Sequence, residues 1–388
     1  DGHFLPPMEM NCVEKEVKKR LEEKYKRSRV LTIGRVANVT TEHHGRGPCQ
    51  YRNLCSRGCP FGAYFSTQSS TMPAAVATGN LTLRPFSIVT TILYNREKKK
   101  ATGVRIIDAE TMQHKEYYAK IIFVNGSTLG TTHLLLNSAS NDFPDGFGNS
   151  SGQLGHNLMD HHFRTGAQGH AEGFDDKYYY GRRANGIYVP RFRNIGAERR
   201  NYLRGFGYQG GASRTGWQRD VAELSFGADL KEELTTPGPW HMGLGGFGET
   251  LPYFENKVTL DKSKTDKWGL PVLAIDCEFK DNEKKMRIDM QNDAAEMLES
   301  AGIKNVKTYD NGSFPGMAIH EMGTARMGND PKTSVLNKWN QMHDVPNVFV
   351  TDGSCMVSSG CQNPSLTYMA LTARACDHAV SELKKMNI

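Results

Sequence analysis

Twice in this chain a short apolar run ends in a polar turn containing glycine and then gives way to a helical pattern. "IIFVNGS" (121–127) leads into "TLGTTHLLLNSAS", and "NVFVTDGS" (347–354) precedes, after a loop, "NPSLTYMALTARACDHAVSELKK" (363–385). A strand that is apolar throughout needs cover on both faces, and a helix leaving the strand's end supplies it. The two units therefore predict a parallel α/β layer. In the second, Asn363 is a good N-cap and Pro364 a good first helical residue. Leu366, Met369, Ala370, Ala373, Cys376, Val380 and Leu383 fall on one face at helical spacing, which predicts that face as buried.

Other stretches read differently. Val13, Val17, Leu21 and Tyr25 recur every four residues among charges, as in a surface helix with one apolar stripe. Residues 80–95, 101–110 and 115–127 are rich in β-branched and aromatic residues between polar turns, including "NREKKK" at 95–100, and predict an antiparallel meander. Residues 251–279 read as two strands joined by a polar turn, and 282–302 as a helix closed by Gly302. Residues 141–250 read locally as loop-rich. Parallel and antiparallel sheet together imply a mixed α/β (α+β) chain of at least two domains, which 388 residues can support.

Composition narrows the function. Hydrophobic residues make up 38% and charged residues 23%, and the net charge of +6 is scattered, so nucleic-acid binding has no support. No apolar run approaches the ~18 residues of a transmembrane helix. "GLGGFG" (243–248) matches the dinucleotide fingerprint G-x-G-x-x-G, but "TTPGPWHM" before it and "ETLPYFENKV" after it lack the required strand and helix. It reads as a glycine-rich loop or strand without a cofactor.

The segment 318–377 carries the chemistry. It contains H-x-x-G-T-x-R-M-G (His320 to Gly328), D-P-x-x-S-V (Asp330 to Val335), V-x-D-G-S (Val350 to Ser354) and N-P-x-x-T (Asn363 to Thr367). This series closely resembles the C-terminal signature of the glucose-methanol-choline (GMC) oxidoreductases, FAD-dependent enzymes that oxidise alcohols and sugars. "GQLGHNLMDHH" (152–162) is similar to the family's G-x-N-L-x-D-H stretch.

The resemblance implies a partial Rossmann-like FAD/NAD(P)-binding flavin domain plus an antiparallel-sheet substrate domain. It divides the chain into substrate-domain elements and a cysteine loop (1–79), a flavin segment (80–165), the substrate domain (166–314) and a C-terminal flavin segment (315–388). It implies His320 and Asn363 as the catalytic pair, with Asp352, Gly353, Asn363, Pro364 and Thr367 on the cofactor side. The implied reaction takes a hydroxyl proton from a sugar or glycoside and passes its hydride to flavin N5, with an external acceptor or O2 as partner. From local sequence alone Asn363 reads first as a cap, His320 as an ordinary hydrogen-bonded histidine and Asp352-Gly353 as a turn, and only the family pattern favours the functional reading. His161 and His162 are adjacent on one element and should diverge, so no metal is assigned to them.

The family's opening strand–G-x-G-x-x-G–helix unit has no counterpart here, and the chain begins "DGHFLPP" without Met. The reading is of a chain that starts after its first FAD-binding unit and alone binds FAD weakly or not at all. A cofactor-free, carbohydrate-binding or structural remnant of the fold is the alternative. Compartment is not assigned and oligomerisation is left open.

Cys49, Cys55 and Cys59, followed by Pro60, form C-x5-C-x3-C-P. A zinc site with His43 or His44, a Cys55–Cys59 disulfide and a reactive thiol are all open on spacing alone. The pattern is similar to the [3Fe-4S] loop of bacterial FAD-dependent glucose dehydrogenases of the same family, which implies a cluster carrying electrons away from flavin.

Overall fold

A computed structural model describes residues 3–52, 54–177, 179, 186–214, 227–235 and 237–388. The elements in chain order are α1 (Cys12–Tyr25), β1 (Thr32–Ile33), α2 (Thr71–Ala77), β2 (Ser87–Asn95), β3 (Lys100–Asp108), β4 (His114–Tyr118), β5 (Ile122–Val124) and α3 (Ser127–Asn137). Then come β6 (His162–Ala171), β7 (Ile187–Val189), β8 (Phe206–Arg214), α4 (Ala228–Thr235), β9 (Trp240–Gly248), β10 (Lys257–Thr265) and β11 (Pro271–Asp276). The last are α5 (Asp281–Ser300), β12 (Lys304–Asp310), β13 (Val348–Val350) and α6 (Ser365–Lys384). They separate into two compact units, one of residues 1–83, 163–247 and 285–312, the other of 84–162, 248–284 and 313–388. Among the described residues no helix is long and apolar enough to cross a membrane.

The first unit is built on a six-stranded sheet of order β1-β7-β8-β9-β6-β12. Val13, Val17 and Leu21 of α1 and Met286, Met290, Ala294 and Met297 of α5 share one core with Ile187, Val189, Tyr208, Trp240, Met242 and Leu244 of the sheet. Asn11 caps α1 in a capping box with Glu14. The buried Glu14 carboxylate is satisfied twice, by the Asn11 and Ala212 N–H groups.

Four of the six strands come from the stretch that reads locally as loop. Glycines dilute their alternation, and the reason for those glycines is tertiary. "GLGGFG" lies within β9, where a Cβ at Gly246 would collide with Met290 of α5. The fingerprint match is thus a strand that packs closely, not a phosphate loop.

In the second unit β2, β3 and β4 form the expected antiparallel meander, with Asn95↔Lys100 closing the first hairpin. β10 and β11 pair antiparallel from Lys257↔Asp276. The two apolar runs pair with each other in parallel, Val348↔Ile122 to Val350↔Val124, and α3 follows β5 directly. Val348, Phe349 and Val350 are all fully buried, as a strand covered on both faces requires.

The buried face of α6 is not the expected one. Ala375 and Ala379 pack with Phe349, while Leu366, Met369 and Val380 are 63%, 45% and 49% exposed. Small residues let the helix approach β13 closely, and periodicity weighted by side-chain size selects the opposite face. The helix also starts one residue later than expected, with Pro364 at the cap position and no side-chain cap. Asn363 is therefore not the cap.

Candidate active site

In the second unit, residues 157–161 run against 320–324 as a short antiparallel pair. Met159 and Met322 exchange N–H···O bonds of 2.8 and 2.9 Å. Gly323 permits the approach, because a Cβ there would strike the Asn157 carbonyl. Continuing that register sets His161 opposite His320. Between them lies the Asp160 carboxylate, 1% exposed. Its Oδ1 accepts from the His161 and His320 N–H groups (2.8 and 3.1 Å), and its Oδ2 from those of Gly316 and Ala318 (2.8 and 3.2 Å). One buried carboxylate thereby shapes the whole approach to His320. Burial raises its pKa, against the lowering effect of these four bonds.

The His320 ring is half-buried between two partners. Its Nδ1 lies 2.9 Å from His161 Nδ1, and its Nε2 lies 3.4 Å from Asn363 Nδ2 on the exposed side. His161 is fully buried, and its Nε2 lies 3.0 Å from the Gly360 carbonyl oxygen. Burial lowers the pKa of both imidazoles. Asp160 partly counters this at His320, whereas at His161 the neighbouring His320 adds to burial and the pKa falls to about 4. His162 turns the other way, edge-on to Phe279 at 5.7 Å, so the adjacent histidines do diverge.

His161 and Asp160 carry no local signal as site residues. Only their place in the G-x-N-L-x-D-H stretch could have drawn attention to them.

A folded-state histidine pKa of about 4 has a consequence for stability. Above the ordinary value of 6.5 His161 is neutral in folded and unfolded chains alike. Between 6.5 and 4 the unfolded chain binds a proton that the folded one does not, so stability falls as pH falls. The full loss is about 3 kcal/mol at ~1.4 kcal/mol per unit. Asp160, raised by burial, acts with the opposite sign just above the ordinary carboxylate range. Urea unfolding at pH 7, 5.5 and 4.5 should therefore show wild-type stability falling relative to His161→Asn as the pH drops, by about 2–3 kcal/mol over the range. A difference that stays constant with pH would show that His161 does not titrate in this way.

Asp352 ends its strand facing the start of α3. Its carboxylate accepts from Thr131 Oγ1 and from the N–H and hydroxyl of Ser354. Burial pushes its pKa up. A Cβ on Gly353 would press on Thr128 Oγ1 and come within 2.5 Å of the Glu321 carbonyl oxygen. Gly353→Ala should thus cost about 3 kcal/mol through overpacking, read as a lowered denaturant midpoint. An unchanged midpoint would show that this junction yields. Pro364 is buried and Thr367 exposed, both at the first turn of α6.

In the first unit, Cys49, Cys55 and Cys59 line one small depression with Arg52 and Phe61. Cys55 and Cys59 both carry free thiols, so the Cys55–Cys59 disulfide is not formed. The expected iron–sulfur ligand set is not formed either. Among the described residues no three His, Cys, Asp or Glu side chains are placed to share a metal ion. The loop is organised instead by backbone bonds, such as Cys49 N–H to Val39 O (2.9 Å) and Gly62 N–H to Cys59 O (3.1 Å). Burial would raise the Cys59 thiol, but the N–H groups of Tyr64, Phe61 and Ala63, with Arg52, hold it below its ordinary range.

The N-terminal GMC oxidoreductase family model matches residues 9–163 and the C-terminal one residues 252–372. The chain belongs to the GMC oxidoreductase family. This GMC chain is 35% identical over 334 residues to the 2-methyl-1,2-propanediol dehydrogenase of Mycolicibacterium austroafricanum, covering 83% of the chain and 58% of that protein. It is 27% identical over 354 residues to the fructose dehydrogenase large subunit of Gluconobacter japonicus, covering 90% and 62%. Its fold is similar to that of an FAD-dependent oxidoreductase from Chaetomium thermophilum (TM-score 0.51, 13% identity, 80% of this chain and 64% of that one). The chain thus spans about three-fifths of each. The expectation of a missing N-terminal FAD unit is not supported, because the N-terminal family model is matched from residue 9.

Proposed function

We propose that this GMC oxidoreductase oxidises a CH–OH group of a sugar or other polyol, with FAD as hydride acceptor. The observation that carries the reading is the pair formed by His320 Nε2 and Asn363 Nδ2, 3.4 Å apart at an accessible edge. An imidazole with a lowered pKa is neutral near pH 7 and can take a hydroxyl proton at Nε2. The Asn363 amide can hold the substrate oxygen while that proton leaves, which orients the carbinol.

FAD, when bound, supplies the two-electron sink that receives the carbinol hydride. The residues present fit it on one count in particular. The twenty-residue helix α6 begins without a side-chain cap two residues after Asn363. Its first N–H groups and positive dipole end suit the electron-rich pyrimidine edge of a flavin. Pro364 and Thr367 belong to that turn, and Asp352 and Gly353, at the end of β13, complete the cofactor-side set. The substrate class draws support from relatives named for a propanediol and for fructose. An external acceptor or O2 reoxidises the cofactor.

The test is an anaerobic titration of the purified protein with a panel of sugars and polyols. The visible flavin absorbance should bleach with at least one of them. A flavin-loaded protein that none reduces overturns the substrate class. A protein that takes up no flavin, yet binds sugar, returns the reading to a cofactor-free remnant.

A further inference from the structure

We propose that His161 is a positioning residue that holds His320 as its Nδ1–H tautomer and leaves a bare Nε2 lone pair facing Asn363 and the substrate hydroxyl. This rests on the reading of His320 as the proton acceptor and adds what makes it one. The deduction starts from Gly360. A peptide carbonyl has no proton to give, so in the 3.0 Å contact with Gly360 O the proton belongs to His161 Nε2. A neutral imidazole carries one N–H, so His161 Nδ1 is then an acceptor.

His161 is neutral because it is fully buried, with its pKa near 4. The 2.9 Å contact between the two Nδ1 atoms therefore needs a proton from His320. With Nδ1 protonated, the only lone pair in the His320 ring plane is at Nε2, on the Asn363 side.

The arrangement also suits the charged state that follows. When the substrate O–H bond breaks and an Nε2–H bond forms, the electron pair stays on the substrate oxygen and His320 becomes an imidazolium. Its Nδ1–H bond to His161 is then charge-assisted and shorter, and the Asp160 carboxylate, which favours the protonated His320, stabilises the charge. The proton does not travel on to His161, which is the much weaker base. The charged group acting on His320 is the Asp160 carboxylate, carried by the residue before His161.

The contact arises from the antiparallel register of 157–161 on 320–324 and the backbone bonds to Asp160. His161 thus sets the protonation pattern of a ring whose place in the loop is already fixed by other bonds.

The experiment is imidazole 1H–15N correlation spectroscopy on the full protein labelled with 15N-histidine, with His320 assigned by its loss in His320→Gln. Wild type should show His320 with a protonated Nδ1 and a bare Nε2 at pH 7.5. His161→Leu, which removes the acceptor, should move His320 towards the Nε2–H form. It should also lower kcat by about 10²-fold or more, towards the ~10⁴-fold seen when a tautomer-setting partner is lost, with KM within about 3-fold. His161→Asn places an oxygen near the former Nδ1 and should keep the Nδ1–H form and most of the turnover. The proposal is overturned by a wild-type His320 protonated at Nε2, or by an unchanged His320 tautomer in His161→Leu. If His161→Leu does not fold, the wild-type and His161→Asn spectra decide alone. An Nδ1–H tautomer in wild type alongside full turnover in His320→Gln would leave this inference standing and sink the catalytic reading of His320.

Discussion

Replacing His320 with alanine should lower kcat about 10²–10⁴-fold, the range spanned by a positioned general base, with flavin content unchanged. The ring is held at Nδ1 by His161 and touches Asn363 only at its accessible edge. Its removal therefore takes away the proton acceptor without opening a well-packed core. His320→Gln should fall equally far, because an amide of similar reach cannot take a proton near neutral pH. The check is single-turnover flavin reduction under anaerobic conditions, which separates the chemical step from reoxidation. A reduction rate within about threefold of wild type would remove His320 from the proposed reaction.

Asp160→Ala should have the largest effect on stability, about 3–5 kcal/mol. The carboxylate accepts four backbone N–H bonds while almost wholly buried. Stranding such donors costs about 1–3 kcal/mol each, less whatever water restores. Against a typical total of 5–15 kcal/mol that is a large loss. Asp160→Asn should also be damaging, since its single oxygen leaves an NH2 group facing two of the donors. It should lower the His320 pKa as well, because the carboxylate charge that raises it is gone. Denaturant unfolding together with the pH profile of flavin reduction tests both parts. A midpoint within about 0.5 kcal/mol of wild type would show that the loop holds itself without the carboxylate.

The local elements were largely legible from the chain. The meander around the "NREKKK" turn, the 257–276 hairpin, the helix closed by Gly302 and both apolar strands lie where their residues predict. β6 to β9 were not, because their glycines answer to neighbours such as Met290 that are distant in sequence. The buried face of α6 misled for a related reason, since close approach to Phe349 selects alanines over the bulky stripe. The cysteine spacing suggested a cluster, but among the described residues no three His, Cys, Asp or Glu side chains are placed to share a metal ion.

The site shows the same division. His320, Asn363, Asp352 and Gly353 stand out through short motifs, because turns, caps and strand ends are decided over a few residues. What joins them to Asp160 and His161 is a register, Met159 on Met322, between segments about 160 residues apart. By itself the sequence determined which strands and helices form and which residues could move a proton. Only the tertiary structure decided that His161 faces His320, because that contact follows from which segments pair, and no local propensity encodes the pairing.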